Sequence, residues 1–128
     1  MKAYDIYKRS LAIMFEDEGE DKMFYNKFTE ILNLLICEAL PYENSVRASR
    51  GEAELAALPA VENMEDEVDM SYAICGLALP YGVAAHFSRD DGELYNAEVY
   101  RDKYIMALRE AAKCRAVDII DVYGGEQI

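Results

Sequence analysis

The chain has no Trp, a single His, three Cys and three Pro among its 128 residues. Each scarcity excludes something. His86 alone, with no C-x-x-C to anchor it, leaves a Cys/His zinc site without ligands at workable spacing. It also has no Ser or Cys partner in a nucleophile–base motif. Cys37, Cys75 and Cys114 are odd in number and far apart, each in a helical stretch among apolar neighbours. They read as reduced core thiols of a cytosolic protein, not as a disulfide framework. No phosphate-cradling G-x-x-x-x-G-K-[ST] or G-x-G-x-x-G occurs. The longest apolar run, 72–87, is interrupted by Gly76, Pro80 and Gly82 and is too short to span a bilayer. The N-terminus begins with an amphipathic pattern and lacks a signal-peptide core.

Basic residues are also few. Thirteen Lys and Arg stand against 25 Asp and Glu, for a net charge of −12. Such a surface repels phosphate backbones and anionic lipid, which argues against a nucleic-acid-reading face or membrane docking. The acidic runs 16–21 and 62–69 lack the alternating oxygen ligands and closing Glu of a calcium loop. They read as solvated turns. No pair of carboxylates is singled out for acid–base work, so neither a catalytic residue, a cofactor site nor a metal site is expected, and the chain is not read as an enzyme.

What is present is apolar periodicity. Hydrophobic residues make up 52% of the chain, ten Tyr and four Phe among them. That is a globular balance, enough for one domain to bury its own core. Tyr4, Tyr7, Leu11, Met14 and Phe15 recur at helical spacing and give a first helix, which Gly19 stops. Asp21 caps a second helix over 22–40, with Phe24, Phe28, Ile31 and Leu35 on its buried stripe and Pro41 at its end. Cys37 lies in its last, all-round apolar turns. The stretch 42–68 is a long middle loop, with one turn of helix expected at 54–58. A third, central helix spans 68–89, with a kink expected near Ala78 to Leu79 because Pro80 lies inside it. Its small residues Gly76, Ala78, Gly82, Ala84 and Ala85 admit a close neighbour. A fourth helix starts at an Asp90/Glu93 capping pair and buries Tyr100, Tyr104, Leu108 and Ala111. Glu98–Arg101 and Glu110–Lys113 form its outward pairs, and Arg109, Lys113 and Arg115 suit its negative end. The β-branched run 117–123, closed by Gly124 and Gly125, predicts a short strand. The expected fold is all-α: a small bundle of four helices over 1–115 with a long middle loop, followed by a strand-like tail over 116–128.

Two features point outward. A strand without a partner offers backbone donors and acceptors to another chain, which makes Val117, Ile119, Ile120, Val122 and Tyr123 interface candidates. Arg47 and Arg50, the basic residues of the acidic chain's middle loop, are expected to face a neighbour's acidic turn.

The residues 78–87 (Ala-Leu-Pro-Tyr-Gly-Val-Ala-Ala-His-Phe), then Asp90-Asp91-Gly92-Glu93, then Ala97 and 100–104, resemble small head–tail connector (head-completion or adaptor) proteins of tailed bacteriophages and prophages. Asn33-Leu34-Leu35, Glu38-Ala39-Leu40 and Asn44-Ser45-Val46-Arg47 are similar to a variant found in phages of Gram-positive bacteria. The likeness covers roughly 4–112. It implies a non-enzymatic virion-neck protein, present in the host bacterial cytoplasm during assembly. It would form a homo-oligomeric ring under the portal, contact portal or tail-completion proteins, and extend a channel through which DNA passes without sequence-specific binding. The tail over 117–128 is more strand-like than the family leads one to expect. The alternative is an acidic helical regulatory or inhibitor module that binds a basic protein.

Overall fold

The computed structural model describes residues 1–16 and 22–126, with side chains described through Lys113. The molecule is a small all-α bundle: α1 (Ala3–Met14), α2 (Lys22–Ser49), the single turn α3 (Tyr72–Cys75), α4 (Leu79–Asp90) and α5 (Leu94–Glu126). No strand lies among the described residues; Lys2 and Glu67 form one isolated antiparallel bridge.

α1 buries Ala3, Ile6, Tyr7 and Leu11 along one face. It ends in a left-handed residue, Phe15 (φ 58°), whose N–H donates to the Ala12 carbonyl while the Glu16 N–H donates to that of Leu11. This is a Schellman-type stop with Phe where glycine is usual. Phe15 was expected on the buried stripe, yet the left-handed turn swings it out and it is 96% exposed. The expected stop at Gly19 and cap at Asp21 lie outside the described residues.

α2 buries all four expected apolar positions, with Tyr7 packed edge-on to Phe28 at 5.2 Å and against Phe24 at 5.4 Å. Its end was misplaced by sequence reasoning. Pro41 sits inside the helix, which runs on to Ser49. Pro41 withholds one hydrogen bond, but it and Cys37 are both exposed, so water replaces that bond at little cost. The extra turns are held by burial of Glu43 and Val46. Cys37, expected in the core, is exposed; Cys75 is fully buried, and the Cys114 side chain lies outside the described residues.

The middle loop is therefore shorter than expected and is fastened by polar side chains of α2. Asn33 donates to the Val61 carbonyl and accepts from its N–H, both at 2.9 Å. Eleven residues later, on the same helical face, Asn44 accepts from the Leu55 N–H at 3.0 Å. The start of α1 completes the anchoring: Ala3 and Tyr4 donate to Asp66 and Met64, and Val68 donates to Met1. The 54–58 stretch forms bends, not a helical turn.

The expected third helix is broken in two. α3 stops after one turn, and Pro80 occupies the first turn of α4, where its missing N–H has no helical partner to lose. α4 is indeed the central helix and packs against α1, α2, α3 and α5. A Cβ on Gly82 would stand 3.1 Å from both Leu35 and Tyr104, so glycine sets the approach of α4 to α2 and α5.

α5 buries Ala97, Tyr104, Leu108 and Ala111. Tyr100 is half-buried and donates to the Ile13 carbonyl at 3.3 Å. Asp90 closes α4 instead of capping α5, whose first helical hydrogen bond goes from Ala97 to the Glu93 carbonyl. The expected strand at 117–123 is helix, a continuation of α5 through Glu126. Arg109, Lys113 and Arg115 are consequently mid-helix. The β-branched composition misled because strand preference is weak and context-dependent. The same segment places Ala116, Ile119, Ile120 and Tyr123 at i, i+3, i+4 and i+7, the spacing of a helix.

Candidate functional site

The two arginines of the middle loop have different fates. Arg47 lies in the last turn of α2 and is turned inward at 18% exposure. Its Nε is 3.6 Å from the fully buried Glu43 carboxylate, and its Nη2 is 3.4 Å from Asp69. Glu43 in turn accepts from the Ser71 backbone N–H and, at 2.8 Å, from the Ser71 hydroxyl. A carboxylate from α2 thus satisfies the backbone at the start of α3, the task an N-cap side chain would perform. Arg47 belongs to this internal network and is committed within its own chain. Arg50 is exposed just beyond α2. Val117, Ile119, Ile120, Val122 and Tyr123 fall on the helical backbone of α5, and their side chains lie outside the described residues.

A different set of residues converges. A cleft of about 350 Å³ opens between α2, α4 and α5, lined by Leu34, Glu38, Ala85, His86, Arg89 and Arg101. Leu34 and Glu38 are one turn apart on α2, and His86 and Arg89 one turn apart on α4, so both pairs face the same opening. Arg101 reaches over from α5 and binds Glu38 with two parallel hydrogen bonds of 2.8 Å each. It was expected to pair with Glu98 along its own helix. The bidentate bond holds the Glu38 carboxyl below its ordinary range and keeps the Arg101 guanidinium charged. Arg101 also lies 5.2 Å above the Tyr104 ring. Tyr104, whose hydroxyl meets the Leu35 carbonyl at 3.4 Å, is pushed far above the usual phenol range by burial and by the Glu38 charge beside it.

His86 and Arg89 are exposed, and neither has an ion pair among the described residues. Glu38, the one acid among the described lining residues, is already neutralised by Arg101, so that lining carries net positive charge in a molecule of net −12. Chemically it is a place to hold an anion. Sequence reasoning missed it because Glu38 and Arg101 are 63 residues apart. The i,i+3 spacing of His86 and Arg89 was the only signal available.

A second concavity of about 290 Å³, between α1 and the α3–α4 break, is lined by Arg9, Ile13, Leu77, Pro80 and Tyr81 among others. Arg9 donates to the Tyr72 hydroxyl at 2.9 Å and to the Gly76 carbonyl at 3.1 Å, so its charge is spent closing that break. Buried Cys75 has its thiol pushed up to about 11, chiefly by burial, and is chemically inert at neutral pH. Among the described residues, no group of three or more His, Cys, Asp or Glu is placed to hold a metal ion, and no helix is long and apolar enough to cross a membrane.

Compared with known proteins, the chain matches no family model, no curated protein and no solved structure.

Proposed function

We propose that this chain is a non-enzymatic subunit of the head–tail connector of a tailed bacteriophage or prophage, assembling as a ring beneath the portal. One observation carries the reading. The residues 78–87, 90–93, 97 and 100–104 that resemble that family build a hairpin of α4, the tight turn at Gly92 and the start of α5, and the similar residues of 33–47 lie on α2, which packs against it. A likeness centred on the bundle's central hairpin and on the α2 face beside it is a likeness in how the core is built.

Two further features support assembly. Phe15 is held almost wholly in solvent by a left-handed backbone that costs about 1–2 kcal/mol for a residue with a Cβ. An apolar ring kept exposed at such a cost suits contact with another chain. The net charge of −12 would also let DNA slide past a channel wall without sticking.

Mixing the purified chain with the portal protein of the phage or prophage that encodes it, followed by native mass measurement and electron microscopy, tests the proposal. The expected result is a ring of this chain on one face of the portal. A monomer in solution is compatible with it, because the portal can template the ring. Failure to bind portal overturns it, and a stoichiometric complex with a basic protein would favour an acidic inhibitor instead.

A further inference from the structure

Two copies of a chain carrying twelve excess negative charges repel, so any ring needs local complementarity strong enough to offset that. The cleft between α2, α4 and α5 supplies the positive half. Arg89 and His86 face it without an ion-pair partner among the described residues, Arg101 holds Glu38, and Leu34 stands 64% exposed beside them. The fitting occupant is an anionic group with an apolar neighbour.

The chain displays such a group at 52–58. Glu52 and Glu54 are exposed there and take part in no described ion pair, and Leu58 is 47% exposed. The segment is anchored to α2 through Leu55 and Asn44, and the chain just beyond it through Val61 and Asn33. Its backbone is therefore held at Leu55, and again just beyond at Val61, before any partner arrives, which lowers the entropic cost of docking. Within one copy it does not reach the cleft. Glu54 lines a separate concavity against Pro41, Asn44 and Ala48, further along α2.

We propose that the cleft receives segment 52–58 of a second copy, with a Glu52 or Glu54 carboxylate set against Arg89 and His86 and Leu58 packed beside Leu34. The contact joins two unlike surfaces, so it is heterologous, the kind of interface that generates a ring when its rotation closes. The inference rests on the ring-forming reading above and names the contact on which such a ring would close. Arg101 stays with Glu38 and shapes the cleft's end.

A synthetic peptide of residues 51–60, titrated into the isotopically labelled full chain and followed by NMR, tests the contact without requiring a ring. Saturable shifts are expected at Leu34, Ala85, His86 and Arg89. Arg89→Glu should weaken the peptide at least tenfold. A peptide carrying Glu52→Arg and Glu54→Arg should lose binding to the native chain and regain it with the Arg89→Glu variant. That rescue separates a lost contact from a misfolded protein. The absence of shifts at those positions, or equal binding of a peptide with both glutamates changed to glutamine, overturns the proposal. Assembly on the portal is read separately. Rings that form undiminished with Arg89→Glu refute this contact and leave the connector reading standing, whereas a native chain that ignores the portal counts against the connector reading alone.

Discussion

Glu43 is the residue on which the junction of α2 and α3 turns. It is fully buried, accepts from the Ser71 N–H and hydroxyl, and lies beside Arg47, whose Nε is buried without a hydrogen-bond partner. Glu43→Ala would leave the part-buried Ser71 N–H without its acceptor and Arg47 with Asp69 alone, so a loss of about 1–3 kcal/mol is expected in chemical denaturation. Glu43→Gln keeps an acceptor for Ser71 and should lose less than half of that. Glu38 behaves differently because it is more open. Its carboxyl is held below the ordinary 4.5, first by the Arg101 hydrogen bonds, so its contribution is fully present above that value and fades as pH falls through the lowered one. Each partner is 39% exposed, and solvent screening limits the pair to about 1 kcal/mol or less. Arg101→Gln should therefore be less stable than the native chain at neutral pH, with the gap closing as pH falls through the lowered Glu38 titration in a pH series of denaturation curves.

At the level of elements, the ends proved harder to read than the middles. α1 ends on a non-glycine residue in the left-handed region, and Phe15 buries nothing there. Phe15→Gly is expected to raise stability by about 1 kcal/mol, readable as an increase in Tm, because the strain goes and no packing is lost. If Phe15 serves the connector contact, the same variant should bind portal more weakly although it is more stable. α2 and α5 both outrun their expected lengths for one reason. Local signals such as Pro41, or the β-branched run after Val117, compete with a helix already nucleated and held by packing upstream. Buried Glu43 and Val46 carry α2 past Pro41, with the proline on the exposed side where its lost bond is cheap.

Across the whole molecule, burial does not follow secondary structure. Residues 61–71 contain no helix and no strand beyond the bridge at Glu67, yet Val61, Val68 and Met70 are buried, and the segment is bonded to α2 and to the start of α1. Amide hydrogen exchange should accordingly show Val61, Val68 and Ser71 protected to nearly the level of α4, with 52–54 and 56–60 exchanging much faster. Uniformly fast exchange across 50–71 would mean that the Asn33 and Glu43 attachments contribute little. Charge also acts at this scale. The chain as a whole is strongly acidic while Arg89 of α4 stands at one cleft, so added salt should relieve general repulsion and weaken the specific contact together.

The sequence by itself determined the helical class, the buried stripes of α2 and α5, and the central place of α4. These follow from apolar spacing, which burial enforces whatever the partners are. The small-residue run around Gly82 belongs with them, since close approach requires an absent side chain. Only the tertiary structure decided that Arg47 is an internal tether, that Pro41 lies within a helix, that the middle loop is pinned by Asn33 and Asn44, and that His86, Arg89 and Arg101 share one cleft. Each of these depends on a pairing across many residues of chain. Local pattern carries no information about such pairings, because their energy appears only when the folded backbone brings the partners together.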